Sequence, residues 1–139
     1  MKEGWHKADY LVLFDAPEET QRMTELYGIA QYLPGYTIIG LRGWDDFIVQ
    51  NSQGSLFTIP TVPLEPKHLS PLCSHIDVAA LKADERFATK IKWYVQPLVF
   101  GGDPKAEQNT TWLPVQQHTE AVRWWNRKYH QITKQQENA

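Results

Sequence analysis

The chain has 139 residues, 42% of them apolar and 22% charged, with a net charge of −2. A length of this order supports one domain whose core needs neither disulfides nor a metal. The small negative charge excludes a global electrostatic attraction to nucleic acid or to an anionic membrane.

The opening residues, MKEGWHKADY, lack the apolar run of a secretory signal. No stretch approaches the about 18 consecutive apolar residues of a membrane span, so the chain reads as soluble and cytoplasmic, with no membrane contact. Residues 9–14, DYLVLF, are a short apolar run expected as a buried strand. In the DAPEE stretch that follows, Asp15 is placed to cap a helix, with Pro17 in the first turn and Glu18 at the capping-box position. Met23, Leu26, Tyr27, Ala30 and Leu33 then recur at spacings of three and four, an apolar face on a helix that Pro34-Gly35 should stop.

Three runs rich in β-branched and aromatic residues come next, at 36–40, 46–50 and 55–60. Their connectors, LRGWD and NSQG, carry Gly and Asn, which adopt positive φ at small cost, so an antiparallel meander is expected. Residues 61–72 hold three prolines and read as an extended crossing segment, not a central strand. Ser74 with Asp77 forms a second capping box, opening a helix through about residues 81–87. Residues 92–100 return to strand composition, with Pro97 marking an edge or a bulge, and 101–111 read as loop. From about Val115 the pattern is helical, with Val122, Trp125, Tyr129 and Ile132 on one stripe and Ala121 and His118 beside it. Trp124 and Trp125 sit about 100° apart on that helix, which turns one inward and leaves the other at the surface. The expected fold is α+β: one domain over 1–139, a small antiparallel sheet with packed helices over 9–100, closed by a loop and an aromatic helix over 101–135.

Adjacent Asp45 and Asp46 raise a catalytic or metal-binding reading. On a strand, successive side chains point to opposite faces, whereas carboxylates that share acid–base work converge from separated positions. The pair reads instead as the tip of a turn, free to touch another molecule. Cys73 is the single cysteine, so neither a disulfide nor a thiolate cluster forms within the chain, and it reads as a structural thiol. The five histidines, at 6, 68, 75, 118 and 130, show no metal-ligand spacing. FGGDPK does not run directly into a helix and reads as a turn, not a phosphate loop. AVRWWNRKY interleaves aromatics with bases as single-strand binders do, but in an acidic chain it reads as a core helix whose edge can meet a partner. No catalytic residue, metal, cofactor or nucleic acid is expected. An enzyme would require a deep pocket of convergent polar groups.

YGIAQYLPGYTIIGLRGWDDFIVQNSQGSLFTIPTVPL followed by LSPLCSHIDVAAL resembles the core of the SUKH superfamily, the SMI1/KNR4 proteins, over roughly residues 9–81. The shared pattern begins with a helix running into YLPGY, a strand ending in Gly40, and a turn leading to a DDFIV strand. A glycine turn, a strand ending in Pro and a proline-containing segment before a helix complete it. Two features depart from the family. Arg42-Gly43-Trp44-Asp45-Asp46 stands where relatives have a glycine-rich acidic turn. The chain also starts almost at the first strand, so the aromatic C-terminal helix would take the packing place of an N-terminal family helix.

The resemblance implies binding rather than chemistry. Bacterial relatives are commonly immunity proteins that bind and block a cognate toxin, frequently a nuclease; others are regulatory or scaffold modules that bind endogenous partners. On this basis Arg42, Trp44, Asp45 and Asp46 are the expected partner-binding residues, with Glu18, Glu19 and Glu25 on the outer face of the first helix as a second acidic group. Residues 1–70 hold nine acids against five bases. An acidic rim there would cover a basic toxin surface and raise the association rate.

Overall fold

A computed structural model of the chain describes residues 1–7, 9–43, 46–72, 76–88 and 90–137. Six strands form one antiparallel sheet in chain order: β1 (Lys2–His6), β2 (Asp9–Leu13), β3 (Thr37–Arg42), β4 (Asp46–Gln50), β5 (Leu56–Pro60) and β6 (Ser70–Pro71). β7 (Lys90–Tyr94) and β8 (Thr110–Pro114) pair as a second antiparallel sheet. Helix α1 (Pro17–Tyr27) connects β2 to β3, and β8 runs directly into α2 (Val115–Glu137). The α+β architecture, the meander and the aromatic C-terminal helix agree with the sequence.

The main sheet is covered on both faces, and β2 shows the consequence. Tyr10, Val12 and Phe14 face one side, where Met23 and Tyr27 of α1, Ile91 and Trp93 of β7 and Val122 of α2 pack. Leu11 and Leu13 face the other side with Ile48, and Leu72, Ile76 and Leu81 close over them. A strand buried on both faces reads as a continuous apolar run rather than an alternation. That is the pattern of DYLVLF.

β3 changes register between Ile38 and Gly40, so Ile38 and Leu41, three residues apart, both reach the main core. A Cβ on Gly40 would lie 2.3 Å from the Val12 carbonyl oxygen. Gly40→Ala must therefore push two paired backbones apart, at an expected cost of about 3 kcal/mol. The check is the urea midpoint at constant m-value; a loss under about 0.5 kcal/mol would show that the two strands part freely.

Several elements differ from expectation, each for a local reason. The first strand is not at residue 9. Residues 2–6 pair along the whole of β2, and Trp5 also donates its backbone N–H to the Lys82 carbonyl at 2.9 Å. Gly4 permits that approach, because a Cβ there would meet Lys82 N at 2.6 Å. Asp15 does not cap α1: Ala16 holds the cap position without a side-chain bond, and the Asp15 carboxylate accepts from the Met1 amine at 2.9 Å. The helix ends not at Pro34-Gly35 but at Gly28, whose φ of 68° closes it in the left-handed conformation. A separate 3-10 turn, Ile29–Gln31, then carries Ile29 and Leu33 into the core, while Leu26 and Ala30 stay exposed.

The helix expected after residue 74 is replaced by two 3-10 turns, Val78–Ala80 and Glu85–Phe87, capped by the Asp77 and Asp84 carboxylates. Ser74 itself lies outside the described residues. Residues 110–111, expected as loop, begin β8. The strand expected at 92–100 is shifted to β7, and a 3-10 turn at Leu98–Phe100 follows Pro97. The second sheet is fastened to the first by rings: Phe87 stacks on Trp112 at 4.1 Å and meets Tyr10 and Trp5 edge-on. α2 closes the fold with His118, Val122 and Asn126 fully buried. Among the described residues no helix is long and apolar enough to cross a membrane.

Candidate functional site

Arg42 and Asp46 are register partners across β3 and β4, and their side chains pair at 3.3 Å, each about one-third exposed. Such a partly solvated pair contributes about 0.2–1 kcal/mol, and it leaves the described part of the turn without net charge. Trp44 and Asp45 lie outside the described residues, as do Cys73 and His75. The acids of α1 are elsewhere. Gly43, at the turn, donates to the Tyr10 carbonyl near the start of β2, whereas α1 begins beyond the other end of that strand. About 17 Å of strand separates the two groups. Glu18 and Glu25 are exposed, while Glu19 accepts from the Met1 amine at 3.4 Å. The structure therefore does not gather Arg42, Asp46, Glu18, Glu19 and Glu25 into one rim.

Among the described residues two titratable groups meet in the interior, His118 and Tyr27. His118 is fully buried, and its Nδ1 lies 2.7 Å from the Tyr27 hydroxyl. Burial pushes the imidazole pKa down to about 3 and raises that of Tyr27. The neutral ring has one N–H. Placing it on Nε2 lets Tyr27 donate to Nδ1 and leaves one unpartnered atom, whereas placing it on Nδ1 strands the Tyr27 proton as well. Trp93 stands perpendicular to the ring at 5.1 Å. The site is packed shut. Among the described residues no group of His, Cys, Asp and Glu could hold a metal ion.

The outer face of α2 is different. The Leu98–Phe100 turn abuts it through Phe100, whose ring lies 4.8 Å from Trp125 and 6.4 Å from Tyr129. Trp124 packs edge-on against Trp125 at 4.8 Å, one ring half-buried and the other at the surface as the sequence predicts. Trp124, Val99 and Leu98 remain 50%, 46% and 41% exposed, on two elements joined through the Phe100–Trp125 contact. The turn is held rigidly. Asn109 accepts from Gln96 N at 2.7 Å and donates to Gln96 O at 3.0 Å, and a Cβ on Gly102 would lie 1.9 Å from that same oxygen. Gly102 of FGGDPK thus serves close backbone packing, while Gly101, with φ of 88°, closes the Leu98–Phe100 turn in the left-handed conformation.

A groove of about 600 Å³ runs between α2, Tyr32 and the segment that follows β5, lined by Leu64, Glu65, Lys67, His130 and Lys134. It gathers titratable side chains, of which Glu65, Lys67 and His130 are engaged with one another, with Tyr32 or with the backbone. His130 stacks on Tyr32 at 4.5 Å and its Nε2 lies 3.2 Å from the Leu64 carbonyl; Lys67 pairs with Glu65 at 3.3 Å. Sequence reasoning missed this groove. Its walls come from residues about 65 positions apart, and the only local signal is the basic spacing along α2. Compared with protein-family models, with curated proteins and with solved structures, the chain matches none.

Proposed function

We propose that the chain is a non-enzymatic protein-binding domain of SUKH type, an immunity protein that occludes a cognate toxin. The observation that carries this reading is the exposed apolar surface of Leu98, Val99 and Trp124. Tryptophan is enriched at interface hot spots. A ring already fixed against Trp125 loses little freedom when a partner covers it. Occlusion is steric: the patch docks and the bulk of the fold excludes substrate. The engagement of Glu65, Lys67 and His130 in structural contacts supports binding over turnover. The centre of contact lies on α2 rather than at Asp46, whose carboxylate is already paired with Arg42.

Co-expression with a toxin encoded beside the chain's own gene tests this. Growth rescue and a co-purified complex are expected. Trp124→Ala with Val99→Ser should weaken the complex at least tenfold, about 1.4 kcal/mol, with the unfolding midpoint unchanged. Neither rescue nor complex would overturn the immunity reading. A complex formed through the same residues with a protein that is not a toxin would assign a regulatory or scaffold role instead.

A further inference from the structure

α2 carries Arg123, Arg127, His130 and Lys134 at i, i+4, i+7 and i+11. At 100° per residue these four fall within an arc of about 60°, and they extend over about 16 Å of helix. The row follows one wall of the groove. Lys134 and His130 line its main part, Arg127 joins them along an adjoining cleft of about 300 Å³, and Arg123 reaches over Gly28. Tyr32 forms the facing wall. Burial raises its pKa, and Arg127 and Arg123 stand near enough to offset part of that rise.

Among the described residues no carboxylate lies within ion-pair reach of Arg123, Arg127 or Lys134. The one acid in the groove, Glu65, is committed to Lys67. Among the described side chains three cations thus stand in line without an ion pair. On the helix the i±4 positions of these cations hold Thr119, Arg127, Arg123, Gln131, His130 and Asn138, and the acids at i±3 are Glu120, which forms no ion pair with Arg123, and Glu137. Spaced cations along an open groove suit several separated anionic groups, not one convergent phosphate.

We propose that this groove receives an acidic segment of a protein partner, laid along α2. The proposal deepens the protein-binding reading above and rests on it: the partner's carboxylates meet Arg123, Arg127 and Lys134. A polynucleotide is disfavoured by the net charge of −2 and by the exposed Glu18 and Glu25 of α1. The sign of charge is opposite to the acidic rim expected at Asp45 and Asp46.

A poly-L-glutamate peptide of about twelve residues, titrated into the full chain at low salt, tests the groove apart from any toxin. Amide NMR shifts should localise to Tyr32 and residues 123–134. Arg127→Glu with Lys134→Glu should weaken binding at least tenfold, whereas Lys82→Glu with Lys105→Glu, an equal charge change elsewhere, should alter it less than twofold. Trp124→Ala should leave peptide binding unchanged, so a failed toxin complex and a failed groove are told apart. Absence of binding, equal loss in the two double variants, or tighter binding of an oligothymidine of matched charge would overturn the proposal.

Discussion

Urea unfolding followed across pH will show stability falling as pH drops below about 6.5, by about 1.4 kcal/mol per pH unit from His118 alone. The sign follows from where the proton binds. Above the ordinary histidine pKa both folded and unfolded chains carry a neutral ring, and there is no dependence. Below it the unfolded chain takes up a proton that the folded chain refuses until about pH 3, so protonation draws the equilibrium towards unfolding throughout that window. His118→Phe removes the titration and should flatten the slope between pH 6.5 and 5. It also leaves the buried Tyr27 hydroxyl without its partner, at about 1–3 kcal/mol near neutrality. Adding Tyr27→Phe should return part of that loss while keeping the flat profile. If wild type and His118→Phe show parallel pH profiles, the imidazole is not shielded as the structure places it.

The largest single loss at neutral pH is expected from Asn126. Its amide is fully buried: Oδ1 accepts from Leu64 N at 2.7 Å, and Nδ2 donates to Thr61 O at 2.8 Å and Val122 O at 2.9 Å. Asn126→Leu keeps the branching of the side chain but orphans a buried N–H and a buried carbonyl and adds bulk, for an expected cost of about 3–5 kcal/mol. Asn126→Asp should be at least as damaging at pH 7, since it aims a carboxylate at two carbonyl oxygens. Burial raises the pKa of such an acid, so the Asp variant should regain stability as pH falls and the carboxyl protonates, opposite to the trend His118 imposes. Denaturation midpoints at pH 7 and 5 decide it; an Asp variant that loses stability on acidification like the parent would refute the buried latch. Because Asn126 and His130 together hold residues 61–64 against α2, the Leu variant should also weaken peptide binding in the groove.

These two residues show where sequence reasoning stopped. His118 and Asn126 are polar, and the apolar stripe on α2 passes through Val122, Trp125 and Tyr129 on either side of them. Nothing in the spacing says that His118 meets a tyrosine 91 positions earlier, or that Asn126 meets a loop 62 to 65 positions earlier. The same limit governed the termini of the elements. KEGWH has no strand alternation of its own and becomes β1 because β2 needs a partner, with Gly4 admitting the backbone of Lys82. TTWLP becomes β8 because β7 lies opposite. Asp15 reads as a cap from its place in the sequence, but the helix begins at Pro17 and Ala16 holds the cap position.

Local order along the chain therefore determined the class of fold, the strands from DYLVLF through SLFTIP and the C-terminal helix. Side-chain shape and periodicity act within a few residues and leave their mark there. Tertiary structure alone decided which polar groups were buried, which tryptophan stayed outside and which cations came to share a groove. Those outcomes depend on partners brought together from distant positions, and a carboxylate, imidazole or amide has no fixed role until the group beside it is known.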